Sequence, residues 1–219
     1  MTKLVAITSD LVDPHYEVRR LYADCVLRAG ATPVLLVPDA ATVPDIIDRF
    51  DAFVLTGGDD LDMRAFGEQN HAKVQLVAPD RQAFEKALVL ALRARPRIPA
   101  LGVCFGMQMM GVVAGARLLQ HLPDVLDSAG DHLGDQEHPV TGDLGEGLVT
   151  SQHHQALADG GDWRVIARSP DGTIEAIDNP AAVFQVGVQW HPERTRDAVL
   201  GQGLFDRLVA TLSATRSRD

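Results

Sequence analysis

The pentapeptide Gly102-Val103-Cys104-Phe105-Gly106 constrains this chain more than any other stretch. An apolar run, Ile98 to Val103, leads into Cys104, and a second run punctuated by glycine, Phe105 to Ala114, leads out of it. That pattern predicts a buried strand, a tight turn and a helix. Glycines at two residues before and two after the cysteine make the turn a thiol counterpart of the Gly-x-Ser-x-Gly nucleophile elbow. Small neighbours let strand and helix close on each other around strained backbone. The thiol then sits at a helix N-terminus, where the dipole favours thiolate. A buried structural cysteine between two glycines is the plain alternative.

A second element follows 87 residues after the cysteine, in Gly187-Val188-Gln189-Trp190-His191-Pro192-Glu193. A short apolar strand, Val183 to Val188, delivers His191 to its end. Pro192 blocks a helix and keeps the segment extended. Residues two apart in an extended chain point the same way, so Glu193 can reach back to orient the His191 ring. Cys104, His191 and Glu193 thus form a nucleophile, a base and an orienter.

The 219 residues suffice for one sizeable α/β domain, and no linker divides them, so one domain over 1–219 is expected. The net charge of −10 disfavours nucleic acid and anionic membrane surfaces as partners. Met1 to Thr8 is too short an apolar run for a signal peptide, and no stretch approaches the length of a membrane span. Two cysteines make no disulfide framework, which fits a reducing, cytoplasmic setting. Nothing in the sequence fixes the oligomeric state, and a homo-oligomer is compatible with it.

Taken in order, Lys3 to Thr8 reads as a buried strand, ended by Ser9-Asp10. Apolar residues from Val18 to Ala29 recur at helical spacing, with Cys25 on the core stripe and Gly30 closing the helix. Pro33 to Val37 is a strand, Val43 to Phe50 a short helix, and Asp51 to Thr56 a third strand ending in Gly57-Gly58-Asp59-Asp60. Leu61 to Ala78 is polar and irregular. Asp80 caps a helix that stops before Pro96. Beyond the elbow helix and Gly115, Ala116 to Leu119 forms a short strand. Gln120 to Gly147 suggests loops and short hairpins, including Glu137 to Thr141. Strands are expected over Trp163 to Ser169, Thr173 to Ile177 and Val183 to Val188. A last helix is expected from about Asp197 to Leu212, with a frayed tail over Ser213 to Asp219. Alternation in the first half gives an α/β fold, a mostly parallel central sheet with helices on both faces. The strand-rich second half adds antiparallel strands at one side.

Gly-Val-Cys-Phe-Gly-Met-Gln at residues 102–108 followed by Gly-Val-Gln-Trp-His-Pro-Glu at 187–193 resembles the class I glutamine amidotransferase-like, flavodoxin-like fold. The closer likeness is to gamma-glutamyl-gamma-aminobutyrate hydrolases, the peptidase C26 group. That resemblance implies a glutamyl thioester on Cys104 and an oxyanion hole from the backbone N–H groups of Gly58 and Phe105. It also implies a small-molecule γ-glutamyl substrate held by Gln108 and by groups around Ser151, His153 and His154, with no cofactor. One acid of the Asp59–Asp62 loop, Asp60 first, is expected to receive a substrate amine. Gly57-Gly58-Asp59-Asp60 follows the hydrolase branch, whereas amidotransferase subunits usually carry Gly-Gly-Pro-Gly. Phe105 departs from the hydrolases, which commonly have arginine there, and Met63-Arg64 stands where they often have proline.

Competing readings are a glutaminase subunit that feeds ammonia to a synthase, and a silent binding module on the same fold. The intact Cys104, His191 and Glu193 argue against a silent module. A metal site at His132, His138, His153 or His154 lacks the His-Glu-x-x-His and Cys-x-x-Cys patterns, so no metal is expected. Phosphate binding at Gly57-Gly58 lacks the Gly-Lys-Ser/Thr that would support it.

Overall fold

A computed structural model describes residues 2–215. Nine strands form the main sheet. In chain order they are β1 (Leu4–Thr8), β2 (Thr32–Leu36), β3 (Ala52–Leu55), β4 (Ala100–Val103), β5 (Gln136–Gly142), β6 (Gly145–Ser151), β7 (Arg164–Arg168), β8 (Ile174–Asp178) and β9 (Gln185–Val188). Their order across the sheet is β2-β1-β3-β4-β9-β8-β7-β5-β6. The half from β2 to β9 is parallel and the half from β9 to β6 antiparallel. β3, β4 and β9 are buried at every residue, as strands covered on both faces must be.

Five α-helices cover the sheet: α1 (Arg20–Arg28), the single turn α2 (Val43–Ile46), α3 (Pro79–Arg93), α4 (Phe105–Val113) and α5 (Gln202–Thr215). One core lies between the sheet and α1 with α5, built from Tyr22, Cys25, Val26, Phe205 and Leu208. The other gathers Phe84, Leu88 and Leu92 of α3 with Met107, Met109 and Met110 of α4. Helix α4 is buried from Phe105 to Val112, which explains its lack of a polar face. Among the described residues no helix is long and apolar enough to cross a membrane.

The elements expected from sequence are present, with shifts that have physical causes. Helix α3 starts at Pro79, whose ring presets the helical φ, with Ala78 at the cap and Asp80 inside the first turn. Helix α5 starts at Gln202 rather than Asp197 because the Asp197 carboxylate is spent on the N–H groups of Val199 and Leu200 in a separate turn. Ser9-Asp10 does not lead directly to α1: residues Asp10–Val12 and His15–Glu17 pair as a small hairpin that the sequence pattern did not reveal. The hairpin around Glu137 to Thr141 is longer than expected, with seven residues in each of β5 and β6. Residues 216–219 of the expected tail lie outside the described residues.

Topology positions the site. β3, β4 and β9 are adjacent parallel strands, so the segments that leave their carboxyl ends come together. Those segments are Thr56-Gly57-Gly58, Cys104, and Gln189 through Glu193.

Candidate active site

Cys104 occupies the sharp corner between β4 and α4. Its backbone has φ 50 and ψ −104, a conformation that costs energy for any residue with a Cβ. The surroundings hold it there. Its N–H donates to the Val188 carbonyl at 2.8 Å, and its carbonyl accepts from the Gln108 N–H at 2.9 Å. A Cβ on Gly106 would lie 2.5 Å from the Leu55 carbonyl oxygen, and one on Gly102 2.9 Å from the Gly106 backbone. The two glycines are therefore required by close approach, as the elbow pattern implies.

His191 leaves β9 beside the cysteine. Its Nδ1 lies 2.9 Å from Glu193 Oε1, the i to i+2 contact that the extended His-Pro-Glu segment allows. Burial opposes the imidazolium, but the Glu193 carboxylate and the Cys104 sulfur outweigh it, and the His191 pKa is pushed up to about 9. Burial likewise opposes the Glu193 carboxylate, yet the His191 charge and hydrogen bond hold it below its ordinary range. Gln189, two residues before His191, donates through Nε2 to Cys104 Sγ at 3.5 Å. The Gln152 carbonyl is 3.8 Å from the same sulfur.

The Gly57-Gly58 turn lies against this group. A Cβ on Gly57 would meet His191 Cε1 at 2.9 Å and Cys104 Cβ at 3.7 Å, so only glycine fits without displacing the imidazole. The Gly57 N–H is committed to the Tyr22 hydroxyl at 3.0 Å. Arg81, 1% exposed, donates through Nη2 to the Gly57 carbonyl at 2.7 Å and pairs through Nη1 with Asp10 at 2.7 Å. The N–H groups of Gly58 and Phe105 take no acceptor among the described residues, which leaves both free for an anion.

A cavity of about 550 Å³ opens over these residues. Gln108, His153, His154 and Asp60 line it, and Asp10, Asp59, Arg81 and Arg194 add charge of both signs. Gln108 donates through Nε2 to the Gln155 carbonyl and to Gln189 Oε1. His154 sits 2.9 Å from both Asp60 oxygens, and the Asp60 hydrogen bond raises its pKa. Asp60 also accepts from the Gln75 N–H at 2.7 Å, so its carboxylate is already engaged on two sides. Asp59 is exposed at the rim, and partial loss of its hydration together with the nearby Asp10 and Asp60 charges raises its carboxyl above the ordinary range. Ser151 is not brought to the cavity wall: it is fully buried and its hydroxyl donates to the His132 carbonyl. Cys25 is buried in the α1 core as expected.

Four residues at or beside this site escaped sequence reading. Gln189 shares the extended-chain face of His191, a signal the two-residue spacing carried. Tyr22 and Arg81 sit on ordinary helix positions and gain their partners only through the fold. Glu175 is considered below.

The peptidase C26 family model matches residues 5–193, from β1 through Glu193. The chain belongs to the peptidase C26 family. This family member is 36% identical over 213 residues to Rv2859c of Mycobacterium tuberculosis, whose name as a glutamine amidotransferase is provisional; the match covers 90% of this chain and 68% of that protein. It is 29% identical over 224 residues to the gamma-glutamyl-gamma-aminobutyrate hydrolase PuuD of Escherichia coli K12, covering 86% of this chain and 83% of that one. The structure of a glutamine amidotransferase from Thermotoga maritima superposes with a TM-score of 0.62 at 15% identity, covering 100% of this chain and 87% of that one, which is a likeness of fold. Family and relatives point to a hydrolase.

Proposed function

We propose that this C26 member is a cysteine-dependent hydrolase that cleaves the γ-glutamyl amide bond of a small γ-glutamyl amine and releases glutamate. The observation that carries the reading is the meeting of Cys104 and His191 at the carboxyl ends of adjacent strands, on the wall of a cavity of small-molecule size, with Glu193 buried behind the imidazole.

In this reading His191 and Glu193 form the paired imidazolium and carboxylate, and the imidazolium keeps the Cys104 sulfur in its nucleophilic form. The sulfur attacks the γ-carbonyl carbon. The carbonyl oxygen takes the negative charge and is met by the N–H groups of Gly58 and Phe105, which are in place before the charge appears. His191 gives its proton to the departing amine, and the C–N bond breaks to leave a glutamyl thioester. Water gives a proton to the now neutral His191 and attacks the thioester carbonyl; the C–S bond breaks, the Cys104 thiolate is restored beside the imidazolium, and glutamate leaves. Gln108 and the 152–155 loop contact the glutamyl half. Asp59 meets a cationic leaving group. Asp60, held by His154 and Gln75, acts through the loop it pins.

Acid-quenched protein caught in turnover of a γ-glutamyl amide should carry one glutamyl group on the peptide containing Cys104 and none on that containing Cys25. Turnover without such an adduct in a variant with slowed deacylation would reject covalent catalysis at Cys104. Phe105 favours a second reading, because an apolar residue after the cysteine is the amidotransferase habit. Under it the chain supplies ammonia from glutamine to a synthase.

A further inference from the structure

Below the cavity floor four ionisable side chains converge. His132 ends a 3₁₀ turn (Ala129–His132), His138 lies on β5, Glu175 on β8, and His153 follows β6. All four are buried, Glu175 completely, and one side-chain atom from each lies within 4.8 Å of the others. His132 Nδ1, His138 Nε2 and His153 Nε2 stand 3.3, 3.6 and 3.8 Å from Glu175 Oε1. None of these nitrogens, and neither Glu175 oxygen, makes a hydrogen bond. A buried polar atom left unpaired is costly, so five around one point demand an explanation.

The outward nitrogens supply it. His153 Nδ1 is 2.8 Å from the Gln155 carbonyl and His138 Nδ1 3.2 Å from the Pro139 carbonyl. A carbonyl only accepts, so each of those nitrogens carries the ring hydrogen. His132 Nε2 faces Asp171 Oδ2 at 2.9 Å, and Asp171 is fixed by the hydroxyls of Ser128 and Ser169 and the N–H of Thr173. A neutral imidazole has one hydrogen, so all three inward nitrogens present lone pairs toward a carboxylate. Four acceptors around one point require a cation. Outer acceptors that fix the tautomer are also what metal-bound histidines have.

We propose that His132, His138, His153 and Glu175 bind one divalent transition-metal ion, zinc by preference. Three imidazoles and a carboxylate suit zinc, and four-coordinate ligands at about 2.0–2.2 Å place neighbouring ligand atoms about 3.3–3.5 Å apart. With four buried protein ligands the site is structural. It ties β5, β8 and the 132 turn to the loop that follows β6. That loop carries Gln152, whose carbonyl lies by the Cys104 sulfur, and the His132 carbonyl accepts the His153 N–H at 2.8 Å. The ion is thus a positioning device for one wall of the cavity, whatever reaction occurs there. The sequence pattern alone predicts no metal, because the ligands are spread over a 44-residue span with no local spacing motif and Glu175 stands apart from the histidine candidates.

The test is metal analysis of the full chain, produced with zinc in the medium and without a metal-binding tag. About one zinc per chain should survive desalting. Stripping with a strong chelator should lower Tm, and zinc should restore it. Cobalt(II) added to stripped protein should give the intense visible absorption of a tetrahedral site. Glu175→Gln and His138→Gln should lose the stoichiometric ion, while His121→Ala, at the half-buried His71–His121 stack, should keep it. Wild-type protein that is metal-free as isolated, and whose Tm and visible spectrum ignore added zinc and cobalt, would overturn the proposal and leave shared protons as the cation. So would an ion bound equally well by the Glu175 and His138 variants.

Discussion

Arg81 Nη2 lies 2.7 Å from the carbonyl oxygen of Gly57, and the same guanidinium is paired with Asp10 and stacked 4.9 Å from the centre of the Phe105 ring. One side chain on α3 thereby touches both segments expected to furnish the oxyanion donors. Glu85, completely buried one turn along, takes the rest of its charge and a hydrogen bond from Thr8. The fork geometry, not the charge alone, spans these partners.

Arg81→Lys should therefore impair the site while largely keeping charge balance. We expect a fall in kcat of about 10–100-fold with a smaller change in KM, by analogy with loss of groups that support first contacts. Arg81→Met should also destabilise the fold by about 3–5 kcal/mol, because Glu85 would be left buried without its cation. Urea denaturation and steady-state kinetics on the two variants separate these effects.

Cys104→Ala should abolish turnover and leave Tm close to wild type, since the side chain is replaced by one that fits the same corner. Cys25→Ala should keep activity with a modest stability loss of order 1 kcal/mol. Near-normal turnover in Cys104→Ala would refute the nucleophile.

The His191 pKa of about 9 stands above its unfolded value of 6.5, so the pairing with Glu193 and Cys104 stabilises the fold fully below about pH 6.5. That contribution fades as pH rises from 6.5 through 9. Glu193→Gln removes the main force that raises this pKa and leaves the Cys104 sulfur alone against burial, which lowers it. The alkaline limb of kcat/KM should move to lower pH in that variant, and an NMR titration of the His191 ring should move with it. An unchanged limb would separate the two residues.

Glu193→Gln should weaken catalysis less than His191→Ala, and the double variant should be scarcely worse than His191→Ala alone, because a triad fails as a unit. Kinetics on the three variants read this directly; multiplicative losses would contradict it.

Much of this architecture is written locally. The elbow around Cys104 and the extended His191-Pro192-Glu193 carry their chemistry in spacings of two residues, and strand burial orders the parallel half. What the sequence hides is what distance creates. Arg81 looks like a surface position one step after Asp80, and its burial depends on a turn 24 residues away. Glu175 reads as the polar residue of an alternating strand, yet it is buried among histidines from three other elements. Asp60 and Ser151 were candidates for substrate contact, but the fold hands their side chains to Gln75, His154 and His132. Asp197 mimicked a helix start because its capping turn precedes a separate helix.

The acidic rim gives a specificity prediction. Asp59→Asn should raise KM for γ-glutamyl amides with a cationic leaving group by up to about fivefold and leave that for glutamine unchanged, the size expected of one exposed ion pair. Equal effects on both substrates would remove Asp59 from the leaving-group side.

The proposed function has this isolated chain hydrolyse a γ-glutamyl amine rather than serve a synthase. The most direct measurement compares kcat/KM for glutamine with that for a panel of γ-glutamyl amines, with no other protein present and with glutamate and amine both quantified. At least one larger γ-glutamyl amine should be cleaved with clearly higher kcat/KM than glutamine. A preference for glutamine, or activity that appears only when a synthase is added, would contradict it.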